Sequence, residues 1–128
     1  MKERDETMRL IRRAEIAGYR ALVITVDAPV IGNRETDQKD ELFFPNGITM
    51  PNVSHILEKK YADIDHVSAL TQYLSLGLAE SVTWDDIDWL KNVTSLPIIL
   101  KGIMHPLDAI LAHEHGVAGI IVSNHGGR

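Results

Sequence analysis

The chain has 128 residues, with 13 Lys+Arg against 18 Asp+Glu, a formal charge of −5. That length fits one domain at most, and 45% hydrophobic with 24% charged residues is an ordinary globular balance rather than a disordered one. The acidic balance speaks against a nucleic-acid or anionic-membrane surface, which would want clustered Lys and Arg. Zero Cys removes disulfides, thiolate zinc sites and Cys nucleophiles. The sequence has no apolar run near the roughly 18 residues that span a bilayer. The charged opening Met1-Lys2-Glu3-Arg4-Asp5-Glu6 has no apolar core and is not a secretory signal. The expectation is a soluble intracellular chain.

Residues 2–17 read as a helix. Leu10, Ile11, Ala14 and Ala17 recur at spacings of three and four, and Gly18 supplies a stop. Ala21 to Val26 is a short apolar run rich in β-branched residues, which suits a strand buried on both faces of a parallel sheet. It ends at Asp27, and Pro29 opposes continuation. Residues 31–82 have no sustained period and read as a long irregular segment, with a short helix near Ser54–Lys60. Order returns at Thr83, an N-cap candidate followed by Asp85 and Asp86 in the first turn, where the helix dipole favours anions. Trp84, Ile87 and Leu90 mark one face of that helix.

A second apolar run, Ile98-Ile99-Leu100, ends at Lys101-Gly102. Pro106 fits the first position of a helix that runs to about His115 and stops at Gly116. The third run, Gly119 to Val122, leads into Ser123-Asn124-His125-Gly126-Gly127-Arg128. Alternating helices and strands imply a parallel sheet with right-handed crossovers. Two architectures fit this α/β order: an open doubly wound sheet and a (β/α)8 barrel, which needs about 250 residues and eight strands. In a barrel built from these three strands, the inward Val23, Ile99 and Ile121 would lack the other strands that fill its core.

Each strand run ends in a polar residue: Asp27, Lys101 and His125. In parallel α/β folds the C-terminal strand ends face the active-site mouth. Taken singly, each is no more than a strand ending in a polar loop. An acid, a cation and an imidazole together, followed by Gly126-Gly127-Arg128, point to a site. Period-2 alternation puts Thr25 with Asp27, and Ser123 with His125, on shared faces. If the strands are consecutive, Asp27 and His125 can meet across the mouth. A carboxylate there would orient the imidazole and stabilise its protonated form, leaving His125 able to act as a base. Arg34 and Arg128 lie in loops at the same rim, and a guanidinium clamps a carboxylate bidentately. The sequence has no G-x-G-x-x-G or G-x-x-x-x-G-K-[ST] run. His105, His113 and His115 lack metal-site spacing, so no metal is expected. Trp84, Trp89, Phe43 and Phe44 read as packing residues or loop anchors rather than a cofactor box.

The segment Thr25-Val26-Asp27-Ala28-Pro29, continued by Gly32, Arg34 and Asp37, resembles the T-V-D-x-P-x-x-G-x-R-x-x-D segment of the FMN-dependent 2-hydroxy-acid oxidases, the glycolate oxidase and hydroxyacid oxidase family. Leu96 to Ile103 resembles their fifth-strand segment, and Ser123 to Arg128 their S-N-H-G-[GA]-R signature. The resemblance implies a partial (β/α)8 TIM barrel, from the third helix to the sixth strand. Residues 1–128 would then be a fragment of one barrel domain, with an irregular insertion at about 35–82. It matches His125 to the catalytic base, Asp27 to its orienting carboxylate, and Arg34 and Arg128 to the substrate-carboxylate pair. Lys101 matches the lysine beside flavin N1 and the C2 carbonyl, and Thr25 and Ser123 match polar contacts to the flavin ring.

The implied reaction is FMN-dependent oxidation of a small (S)-2-hydroxy acid such as glycolate to the 2-oxo acid, with O2 as acceptor giving H2O2. The family also implies a homo-tetramer for the full-length form, and a peroxisomal location for a eukaryotic glycolate-oxidase type, otherwise cytoplasm. The family's N-terminal strands and its phosphate site after strands 7 and 8 have no counterpart here. That sets a second reading beside the enzyme: a truncated, non-catalytic paralogue that binds a partner.

Overall fold

A computed structural model describes residues 3–29 and 81–127. The chain divides into two units, Met1–Pro29 with Ala79–Arg128, and Val30–Leu78, and the described residues all belong to the first. The expected irregular segment, its short helix near residues 54–60, Phe43, Phe44, Arg34 and Arg128 lie outside the described residues.

The described elements alternate in chain order: α1 (Arg4–Ile16), β1 (Leu22–Thr25), α2 (Trp84–Val93), β2 (Ile98–Lys101), α3 (Pro106–Glu114) and β3 (Gly119–Ile121). The three strands form a parallel sheet in the order β1-β2-β3. The fold is therefore α/β with a parallel sheet, as the alternation of elements requires. Thr25, Lys101 and Ile121 are register partners, so they share one row and one face. Val26 N–H donates to Lys101 O at 2.9 Å, which carries the β1–β2 ladder to the edge of Asp27.

Helix ends follow local chemistry. After Ile16, Gly18 takes φ +79° and Tyr19 N–H donates to Ala14 O, closing α1 with the left-handed turn that glycine permits. Thr83 begins α2, and the Asp86 carboxylate accepts from both the Thr83 N–H and its hydroxyl at 3.0 Å. Pro106 opens α3, where the missing N–H costs nothing, and His105 Nδ1 accepts from Leu107 N–H at 3.2 Å. That histidine cap was not visible in the sequence, because Ser, Thr, Asp and Asn dominate this position.

The helices cover one face of the sheet. Ile98 and Leu100 of β2 are buried there with Ile11, Ile87, Leu90, Ile103 and Ala112, and Leu22, Ile24, Val26 and Trp84 pack against the cluster. Leu100 is 1% exposed. The strands are not buried on both faces as the apolar runs led us to expect. Val23 is 50% exposed, and Ile121 and Val122 are also exposed. The cause is one-sided covering: β1 alternates half-buried and exposed, and the face of Val23 and Thr25 has no helix against it among the described residues.

Two polar arrangements tie helices together. Asp88 holds His115 Nδ1 at 3.0 Å, and the His115 ring stacks on Trp84 with centroids 4.9 Å apart. The Arg4 guanidinium lies 4.8 Å over the Trp89 ring and 3.2 Å from Asp86. Both tryptophans are thus packing residues. The His115 pairing escaped the sequence reading because it joins positions 27 apart across two elements.

Candidate active site

Beyond the last ladder bonds, three ionisable groups converge. His125 Nδ1 lies 3.0 Å from Asp27 Oδ1, and Lys101 Nζ lies 3.8 Å from the same oxygen. Lys101 Nζ is also 3.3 Å from His125 Nδ1. One ring nitrogen cannot both donate to the carboxylate and accept from the ammonium. The shorter contact joins a donor to an anion, so we assign the Nδ1 proton to the Asp27 bond. Nε2 is then the unprotonated nitrogen of the neutral ring, free to take a proton.

Burial is graded across the group. The side chains of Asp27, Lys101 and His125 are 11%, 29% and 40% exposed. The orienting acid sits deepest and the imidazole reaches furthest toward solvent. The His125 hydrogen bond, helped by the Lys101 charge, holds the Asp27 carboxyl below the ordinary aspartate range, against burial, which pushes it up. Asp27 Oδ2 is buried and has no hydrogen-bond partner among the described residues.

Backbone geometry delivers the imidazole. The ladder ends at Ile121, so strand alternation does not carry through to His125 as the period-2 reading supposed. Instead residues 125–127 form a tight turn, with Gly127 N–H donating to Asn124 O at 3.0 Å. His125 has φ +59°, uncommon for a residue with a side chain, and its N–H donates to Ser123 Oγ at 3.1 Å. Such conformations persist where surrounding contacts over-determine them, and they cluster at functional sites.

Thr25 stands on the exposed sheet face in register with Lys101, and Ser123 keeps its hydroxyl proton free to donate while Oγ accepts from His125. Two hydroxyls and an ammonium at the rim of an open sheet face form a donor set that suits a flat ring bearing carbonyl oxygens and ring nitrogens. Arg34 and Arg128, the remaining two sequence candidates, lie outside the described residues.

The family model described as FMN-dependent dehydrogenase matches residues 1–128. The chain belongs to the FMN-dependent dehydrogenase family. It is 47% identical over 128 residues to the 2-hydroxyacid oxidase of Dictyostelium discoideum, covering 99% of this chain and 31% of that protein. It is 43% identical over 127 residues to the L-lactate oxidase of a Nostoc species, covering 99% of this chain and 35% of that one. A crystal structure of mandelate oxidase with (S)-4-hydroxymandelic acid superposes with TM-score 0.77 at 35% identity, over 98% of this chain and 35% of the other. The chain thus spans about a third of the length of the relatives it matches. Among the described residues, no helix is long and apolar enough to cross a membrane.

Proposed function

We propose that these residues carry the proton-transfer part of an FMN-dependent enzyme that oxidises short (S)-2-hydroxy acids to 2-oxo acids, with O2 as the final acceptor and H2O2 as co-product. The supporting observation is the convergence of Asp27, Lys101 and His125 from three different strand ends. The relatives' names support the substrate class, since each acts on a hydroxy acid by name: 2-hydroxyacid oxidase, L-lactate oxidase and, among structures, mandelate oxidase. The segment is read as part of one (β/α)8 barrel domain, from its third helix to its sixth strand, with an insertion at about residues 35–82.

Oxidising an alcohol next to a carboxylate removes two protons and two electrons. No side chain accepts the electrons; bound FMN would accept both of them together with one of the two protons, and would pass them on to O2. His125 takes a proton from the substrate at Nε2, while Asp27 keeps the ring in the required tautomer through Nδ1 and stabilises the imidazolium that forms. Arg34 and Arg128 clamp the substrate carboxylate. Thr25, Lys101 and Ser123 would hold the flavin ring, and the Lys101 ammonium would favour negative charge on it. Hydroxyls and one cation fit that role, and the family is FMN-dependent. In the full-length form the reading extends to a homo-tetramer. It also extends to the peroxisome for a eukaryotic protein, the compartment named for a rice (S)-2-hydroxy-acid oxidase relative.

The test places these 128 residues in the complete flavoenzyme, in place of the aligned third of the Dictyostelium 2-hydroxyacid oxidase. Anaerobic glycolate, L-lactate and longer 2-hydroxy acids are then added. Bleaching of the flavin absorbance by at least one of them is expected. Failure with all of them, in a chimera that holds flavin, sinks the proposal.

A further inference from the structure

Immediately after Lys101 the chain passes through Gly102 with φ +111°, a conformation that residues with a side chain rarely adopt. A Cβ added here would lie 2.5 Å from both Cβ and Cγ of Asp27 and 2.9 Å from the Asp27 nitrogen. Ordinary carbon contacts need about 3.5 Å or more, so either Asp27 or the backbone would have to move by about 1 Å. The backbone is tied on both sides. Gly102 N–H donates to Ile121 O at 3.0 Å, and Val26 N–H donates to Lys101 O at 2.9 Å. Two of the three crowded atoms, the Asp27 nitrogen and Cβ, are set by the Asp27 backbone, so that backbone would have to shift and would carry the carboxylate with it. Its Oδ1 faces His125 and Lys101, and its Oδ2 is buried.

We propose that Gly102 is a positioning residue for the proton-transfer pair: its bare Cα is the floor on which the Asp27 side chain rests, and that floor fixes where the carboxylate meets His125 Nδ1. The inference rests on the reading of Asp27 and His125 as orienting acid and base. It adds a residue that acts through Asp27.

The experiment uses the complete flavoenzyme carrying these residues, and measures kcat, KM and flavin content for Gly102→Ala, Asp27→Asn, the double variant and Asp27→Glu. Gly102→Ala is expected to lower kcat about 10²-fold, the usual cost of misplacing a reacting group by about 1 Å, with KM and flavin absorbance little changed. In the Asp27→Asn background the same change is expected to add no more than about threefold, since the carboxylate it acts through is already gone. A merely structural role would multiply the two losses, and that result overturns the proposal.

Asp27→Glu keeps the acid and leaves Gly102 untouched, yet its extra methylene has no room against the same floor. A drop of about 10²-fold is expected there too, and this variant decides the matter if Gly102→Ala fails to fold. Near-normal turnover of Asp27→Glu or of a folded Gly102→Ala overturns the assignment. If Asp27→Asn costs turnover and Gly102→Ala does not, only the role of Gly102 falls. If Asp27→Asn costs nothing, the base-pair reading falls with it.

Discussion

His125 Nδ1 and Asp27 Oδ1 stand 3.0 Å apart, although 98 positions separate them in the chain. The parallel sheet closes that distance, with β2 lying between the two strands that lead to these residues. The pair fixes which imidazole nitrogen is available for chemistry. In the complete enzyme, His125→Asn is expected to lower turnover by about 10² to 10⁴-fold, the usual worth of a positioned base, with flavin still bound. Rapid-mixing measurement of flavin reduction checks it, and a near-normal rate would show that another group takes the proton.

The substrate's carboxylate calls for a different variant. Arg128→Met removes a fork-shaped donor while keeping a long side chain. Its expected effect is a rise in KM of about 10 to 10²-fold, matching the loss of charge-assisted hydrogen bonds. Arg34→Met is expected to act alike. If both left KM unchanged for the best hydroxy acid, the two arginines would not be the carboxylate clamp.

Acid stability follows from the depressed carboxyls. Asp27 is held low by the His125 hydrogen bond, Asp86 by the Thr83 N–H and hydroxyl with Arg4, and Glu15 by Thr94 and Arg12. Each group therefore contributes stability above its unfolded value, near 3.9 for Asp and 4.3 for Glu. That contribution is lost as pH falls through the lower folded value. Unfolding midpoints should hold roughly constant down to about pH 5 and fall below it, and Asp86→Asn should flatten the fall. An acid limb unchanged in Asp86→Asn would remove the Thr83–Asp86 cap from the account.

Packing sets a further expectation. Leu100 is 1% exposed in the cluster between sheet and helices. Leu100→Ala leaves a cavity there and is expected to cost about 2–5 kcal/mol in chemical denaturation of the complete protein. Val23→Ala, on the open sheet face, should cost much less if that face is as exposed there as in these residues.

Much of this was legible beforehand because it is local. β-Branched runs ending in Asp27 and Lys101 gave two of the strands, Pro106 gave the start of α3, and Thr83 with Asp86 gave the start of α2. The convergence of Asp27 with His125 was legible only through the assumption that consecutive strands are neighbours. In the sequence Gly102 marks no more than the end of a run. Its close approach to Asp27 depends on the position of a backbone 75 residues earlier in the chain, which no local pattern encodes. The apolar runs do not say which face is covered, only that a strand can be; the open face of Val23 and Ile121 follows from the barrel reading, not from the runs.

The open face supports the last prediction, which concerns the 128 residues expressed by themselves. On this face Val23 and Ile121 are exposed, and Ile99 is only half-buried. Among the described residues β1 and β3 each have one hydrogen-bonded neighbour strand, and no described strand pairs with their outer edges. An apolar patch beside open strand edges drives association. If Thr25, Lys101 and Ser123 hold the flavin ring as proposed, the sequence still has no glycine-rich phosphate run to receive its anionic end. The expected outcome is a chain that self-associates, loses added FMN on gel filtration and does not turn over. Size-exclusion chromatography with light scattering and flavin absorbance measures both properties in one run. A monomer that kept one FMN per chain would falsify the prediction.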